Sequence, residues 1–248
     1  MNHERYRALC RRLKAHYQTG RDGLVWWEEC EEVNPWVCWQ GHGTESPRIL
    51  LVGQDWGNRE SHQNILRNCA TMSDRPGEVH YFDGLAEKTP TDKNLIRLFE
   101  TIGYPKIDQK RYEDLFFTNF IPGLRNNISD SKPVNRRWAE APIPDCFREL
   151  VEILCPDMVI CLGRWTGTQV LKALGGQPCF GKSFRAFLEQ QHSPQVIGLN
   201  GKTIQVWVMA HPGVMGCLNR NRGIVVKESL ELQIADWQKI QTWQDRKG

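Results

Sequence analysis

Apolar positions along the chain fall into two patterns. Short unbroken runs occur at Ile49-Leu-Leu-Val-Gly53, Leu115-Phe-Phe-Thr-Asn119, Met158-Val-Ile-Cys-Leu-Gly163 and Ile204-Gln-Val-Trp-Val-Met209. Such runs, bounded by polar or turn-forming residues, predict strands buried on both faces. Val196 to Leu199 is a candidate partner beside the fourth. Helical spacing appears at Tyr6, Leu9, Leu13 and Tyr17, predicting an amphipathic helix over 3–17. It recurs at Leu95, Ile96, Leu98, Phe99 and Ile102, with Thr91 or Asp92 as the expected cap. Phe147, Leu150, Val151 and Leu154 form one apolar face, stopped by Pro156-Asp157. A helix from Trp165 to Leu174 is expected to end at Gly175-Gly176, and a last helix to bury Val226, Leu230, Ile234 and Trp237. The alternation predicts an α/β fold: a three-layer α/β/α sandwich around a mostly parallel four-stranded sheet, in a single domain spanning 1–248.

Two stretches break the pattern. Residues 1–45 carry Trp26, Trp27, Trp36 and Trp39 around the run Glu28 to Glu32, and are expected to form a capping extension. A stacking platform is the alternative. From Gln54 to about Pro90 the chain is polar and irregular, with turn signals at Arg75-Pro76-Gly77 and Asp83-Gly84. An irregular loop of that length inside a compact domain points to function.

Composition narrows the classes. Hydrophobic residues make up 40% and charged residues 25% of the 248 positions, which excludes wholesale disorder. The 32 Lys+Arg against 29 Asp+Glu leave +3, a surplus too small to prove a nucleic-acid partner but able to contain a local basic patch. No run is long enough to span a bilayer, and the start MNHERYRALCRR has no apolar leader core, so a cytoplasmic protein is expected, and the modest charge and single domain make a monomer the expectation. Nine cysteines at irregular spacing, with no CxxC, fit neither a disulfide framework nor the usual zinc patterns. No metal and no cofactor are expected.

In open parallel sheets ligands bind beyond the carboxyl ends of the strands. The first strand ends in Gly53-Gln54-Asp55-Trp56-Gly57, the second in Thr118-Asn119, the third in Gly163-Arg164 and the fourth in Ala210-His211-Pro212-Gly213. A carboxylate, an amide and an imidazole thus meet on one edge. Each alone has a plainer reading: Asp55 as a helix N-cap, Asn119 as a turn residue, His211 as a loop histidine.

In that order and spacing, Gly53-Gln54-Asp55, Asn119 and His211-Pro212 resemble the motifs of the uracil-DNA glycosylase superfamily, and Pro156 to Gly163 resembles its third strand. The resemblance covers residues 48 to 240. It implies a DNA-repair enzyme that hydrolyses the N-glycosidic bond of uracil, or a related damaged base, flipped out of DNA. Asp55 would orient water and stabilise the sugar cation, and His211 would stabilise the departing base. Asn119 would read the base edge, with Gly53, Gln54, Trp56 and Phe82 completing the base site. The loop after His211 would meet DNA: Pro212 and Gly213 shape it, Met215 is the candidate wedge with Leu218 competing, and Arg220 and Arg222 would hold phosphates.

The sequence departs from the family at three places. Gly57 stands where its uracil-specific enzymes carry Tyr, and Trp56 replaces Pro. The stacking aromatic has no secure match, Tyr81 and Phe82 lying in the right interval. In the branch that holds an iron–sulfur cluster, a Cys follows the Asn by four residues. Here that position is Gly123, and only Cys146 matches, which cannot hold a cluster alone. The competing function is a DNA- or protein-binding module on the same fold without catalysis. A nucleotide-processing enzyme fits less well, because neither GxGxxG nor GxxxxGK[ST] is present.

Overall fold

The computed structural model describes residues 3–18, 20–26, 40–41, 46–58, 89–129, 132–221 and 226–245. In chain order the helices are α1 (His3–Tyr17), α2 (Pro90–Glu100), α3 (Ile143–Leu154), α4 (Arg164–Ala173), α5 (Phe184–Gln190), α6 (Val214–Arg220) and α7 (Val226–Asp245). The strands are β1 (Leu24–Val25), β2 (Ile49–Gly53), β3 (Leu115–Asn119), β4 (Leu124–Arg125), β5 (Met158–Leu162), β6 (Gln195–Leu199) and β7 (Lys202–Met209). β2, β3, β5 and β7 run parallel, and with β6 they form one sheet of order β3-β2-β5-β7-β6.

Every residue of β2, β3 and β5 is buried, because helices cover both faces and alternate side chains serve opposite cores. Leu50, Val52, Phe116, Val159, Cys161, Val206 and Val208 face α1, α3 and α4. Ile49, Leu51, Phe117, Ile160, Trp207 and Met209 face α2 and α7. Each fully buried aliphatic or aromatic side chain contributes about 1.5–3 kcal/mol, so the unbroken apolar runs specify the centre of the sheet.

The sheet has five strands, not the expected four. β6 pairs antiparallel with β7 through a tight turn at Asn200-Gly201, where both residues take positive φ (49° and 79°). This is the twist-matched hairpin turn that Asn-Gly favours. β6 alternates buried and exposed positions, as an edge strand does, and the short run Val196–Leu199 understated it.

Helix boundaries follow local chemistry. α2 is capped by Thr89 rather than Thr91 or Asp92: its hydroxyl accepts the Asp92 N–H, the Asp92 carboxylate accepts the Thr89 N–H, and Pro90 occupies the first turn. The described part of the N-terminal region packs on the body. α1 buries Tyr6, Leu9, Leu13 and Tyr17 and ion-pairs with α3 through Arg12–Glu149 and Arg5–Glu152. Trp26 stacks on Tyr17, and β1 pairs with β4. At the outer edge of β3, the Phe117 N–H donates to the carbonyl of Gln40 (3.2 Å). The buried Gln40 amide donates to the Ile107 and Lys110 carbonyls (both 2.7 Å) and accepts the Tyr112 N–H (3.0 Å). Trp27, Trp36 and Trp39 lie outside the described residues. None of the described helices is long and apolar enough to cross a membrane.

Candidate functional site

The carboxyl edge of the sheet carries the residues singled out by the sequence. The loop after β2 continues the parallel pairing without forming a strand. The Phe120, Ile121 and Arg125 N–H groups donate to the carbonyls of Gly53, Gln54 and Gly57 at 2.9, 3.0 and 2.8 Å. This fixes Gln54, Asp55 and Trp56 against β3 and β4. Gly53 faces Asn119 in register, and a Cβ at 53 would lie 2.0 Å from Asn119 Oδ1. Any other residue would push the amide away, so glycine here is a condition for the position of Asn119. Asn119 is 3% exposed, and its Nδ2 has no partner among the described residues. An orphaned buried donor is costly unless a ligand or water completes it.

The Asp55 carboxylate, 4% exposed, is fully engaged. Oδ1 accepts the Gly57 N–H (2.8 Å) and Arg125 Nε (2.9 Å); Oδ2 accepts Gln54 Nε2 (3.0 Å) and Arg125 Nη2 (2.9 Å). Arg125 is buried as well. Its Nη1 donates to the carbonyls of Ser129 (3.0 Å) and Lys132 (2.7 Å), and its guanidinium lies 5.1 Å from the Trp138 ring centre. This bidentate pair joins the loop after β2 to β4. Sequence reasoning missed it. Arg125 lies 70 positions from Asp55, and no local pattern connects them. Asp55 is therefore no helix N-cap, since no helix follows it before the described residues stop at 58.

His211 follows β7. Its Nδ1 accepts the Gly213 N–H at 3.0 Å, which places the imidazole proton on Nε2. Burial pushes its pKa below the ordinary 6.5, with the Asp55 charge pulling weakly the other way. The ring is thus a neutral donor near neutral pH. His211 lines a cavity of about 460 Å³ together with Gly163, Arg164, Phe184, Arg185 and Arg220. None of the described side chains lining this cavity is a carboxylate.

The loop after His211 differs in part from expectation. Pro212 and Gly213 are buried. Met215 is 68% exposed, with Val214 beside it at 44%, while Leu218 is half-buried. Arg220 is not a surface phosphate ligand. It is 4% exposed, donating Nε and Nη2 to Asp236 of α7 (2.8 and 3.2 Å) and Nη1 to Glu189 (3.5 Å). Its carboxylate partner, 16 positions away on α7, draws it inward. Trp56 is buried in the core under the α1–α3 face. Phe82, Tyr81 and Arg222 lie outside the described residues, as does most of the loop between Gln54 and Pro90.

Among the described residues no cluster of His, Cys, Asp or Glu could hold a metal ion. Where the cluster-bearing branch has its Cys, a side chain at position 123 would run into the Tyr17 ring of α1. Compared with known proteins, the chain matches no protein-family model and no curated protein.

Proposed function

We infer that this chain is a base-excising hydrolase of the uracil-DNA glycosylase type, acting on uracil or a related base extruded from DNA. The observation that carries the reading is His211: a neutral imidazole, with Nδ1 occupied and Nε2–H left to donate, in the wall of a cation-lined cavity beyond the strand ends. A preorganised Nε2–H donor stabilises an oxyanion developing on a departing base. Asn119 Nδ2, buried and without a partner among the described residues, suits a carbonyl on the base edge, although Asn119 lines the small cavity against α1 and α3 and not the one beside His211. Arg164 and Arg185 give the cavity the charge a DNA backbone requires. The parallel sheet, covered on both faces, with these residues at its carboxyl edge, is the arrangement the family resemblance implies.

Within this reading Asp55 acts as a fixed charge and an anchor for Gln54 and Gly57. All four of its acceptor positions are filled, which leaves it poorly placed to take a proton from water. The same saturation favours a second reading, a module on this fold that binds DNA without cleaving it.

Alkaline cleavage of labelled single- and double-stranded oligonucleotides bearing one uracil separates the two. Glycosylase function predicts cleavage by the parent protein, reduced by about 10²-fold or more in His211→Ala. Binding to uracil-containing DNA with no base release from either strand form would establish the second reading instead.

A further inference from the structure

The cavity beside His211 has a feature that base recognition leaves unused: a surplus of guanidinium groups. Arg164 opens α4, and its Nη2 donates to the Gly181 carbonyl at 2.7 Å. No carboxylate pairs with it among the described residues. Arg185 pairs with Glu189 at 2.8 Å, and the buried Arg220 shares that same carboxylate at 3.5 Å while holding Asp236. Lys239 also reaches Asp236, at 3.1 Å. Among the described residues three arginines therefore line this wall, and Glu189, 47% exposed, divides its charge between two of them. The first turn of α4 adds positive potential, since Gly163 supplies no side-chain cap.

We propose that this cavity binds a terminal phosphomonoester, carried either by a nucleoside monophosphate or by the phosphorylated end of a nucleic-acid strand, with Arg164 and Arg185 as its ligands. A phosphomonoester carries about −1.5 to −2 charge at pH 7 and three strong acceptor oxygens. It matches Arg164, which has no carboxylate partner among the described residues, and Arg185, whose carboxylate is shared with Arg220. Forked guanidinium groups suit such an oxyanion better than point charges do. The volume, about 460 Å³, lies in the range of sites for small organic ligands. Phe184, stacked against Phe187 at 11° between planes, gives the cavity an apolar wall for the sugar or base. Arg220 is a positioning residue: pinned by Asp236, it holds Glu189 at the rim.

The site shares its cavity with His211, but its test needs no catalytic readout and so fails or succeeds independently of base cleavage. Calorimetric titration compares thymidine 5′-monophosphate, thymidine and inorganic phosphate. Fluorescence anisotropy compares otherwise identical oligonucleotides with 5′-phosphate, 3′-phosphate or hydroxyl ends. Thymidine monophosphate is expected to bind at least tenfold more tightly than thymidine, and to be displaced by inorganic phosphate. Arg164→Gln and Arg185→Gln, at exposed and half-exposed positions, are each expected to weaken it about tenfold at unchanged Tm. A matching preference for a phosphorylated strand end identifies nucleic acid as the source; a preference confined to the mononucleotide identifies a free nucleotide. Equal affinity for thymidine and its monophosphate, or wild-type affinity in both variants, overturns the proposal.

Discussion

Two buried arginine–carboxylate pairs flank the carboxyl edge of the sheet, and they are built differently. Asp55–Arg125 is closed: every carboxylate acceptor is filled, the guanidinium is spent on two further carbonyls, and an aromatic ring covers it. Asp236–Arg220 is open: the arginine lines a cavity, leans on a partly exposed Glu189, and shares Asp236 with Lys239. A closed pair fixes backbone, and here it fixes the loop after β2 against β4. An open pair can exchange partners with a ligand. The residue that looked most catalytic in the sequence, Asp55, belongs to the closed pair, whereas Arg220, assigned to the surface, belongs to the open one.

Breaking the closed pair gives the largest expected effect. Arg125→Ala or Asp55→Ala strands a buried charge and should cost about 3–5 kcal/mol in urea unfolding, while the double replacement Asp55→Leu with Arg125→Met should recover most of that loss. A catalytic group held without structural duty would instead leave stability unchanged on Asp55→Ala. Asp236→Ala should cost less, about 1–3 kcal/mol, because Arg220 keeps Glu189 and a route to solvent through the cavity. Away from both pairs, Thr89→Ala removes the α2 cap and should cost about 1 kcal/mol.

The smallest effect is a titration. The folded-state pKa of His211 lies below its unfolded value, so the unfolded chain binds more protons in the window below 6.5. The contribution of His211 is therefore complete above that pH and is lost as pH falls through the folded-state pKa. NMR titration of the ring should give a midpoint below 6.5, and Asp55→Asn should move it further down by removing the one charge that opposes burial.

The central strands were legible because burial on both faces leaves no polar positions to interrupt the run, and α1 was placed from its spacing alone. β6 was not, since an edge strand alternates and its identity rests on the Asn200-Gly201 turn. The cap of α2 was misplaced by two to three residues because Thr89, Thr91 and Asp92 are chemically similar, and the Pro90 between them decides. In the candidate site, Asn119 and His211 could be read because each ends a recognisable strand. Arg125, Arg164 and Arg185 could not, because their importance comes from partners and walls contributed by distant segments.

The Gln40 contacts along β3 have a further consequence. A parallel sheet exposes a row of unpaired backbone groups at each margin, and such a margin is a template for joining another chain. Gln40 covers part of one of them: its backbone carbonyl takes the outward Phe117 N–H, and its side chain is pegged into the 107–112 turn. Gln40 thereby works as a stretch of selvedge, a finished border that occupies an N–H another strand would otherwise pair. Losing its contacts would reopen that stretch of the margin while leaving the core packing of α1 in place.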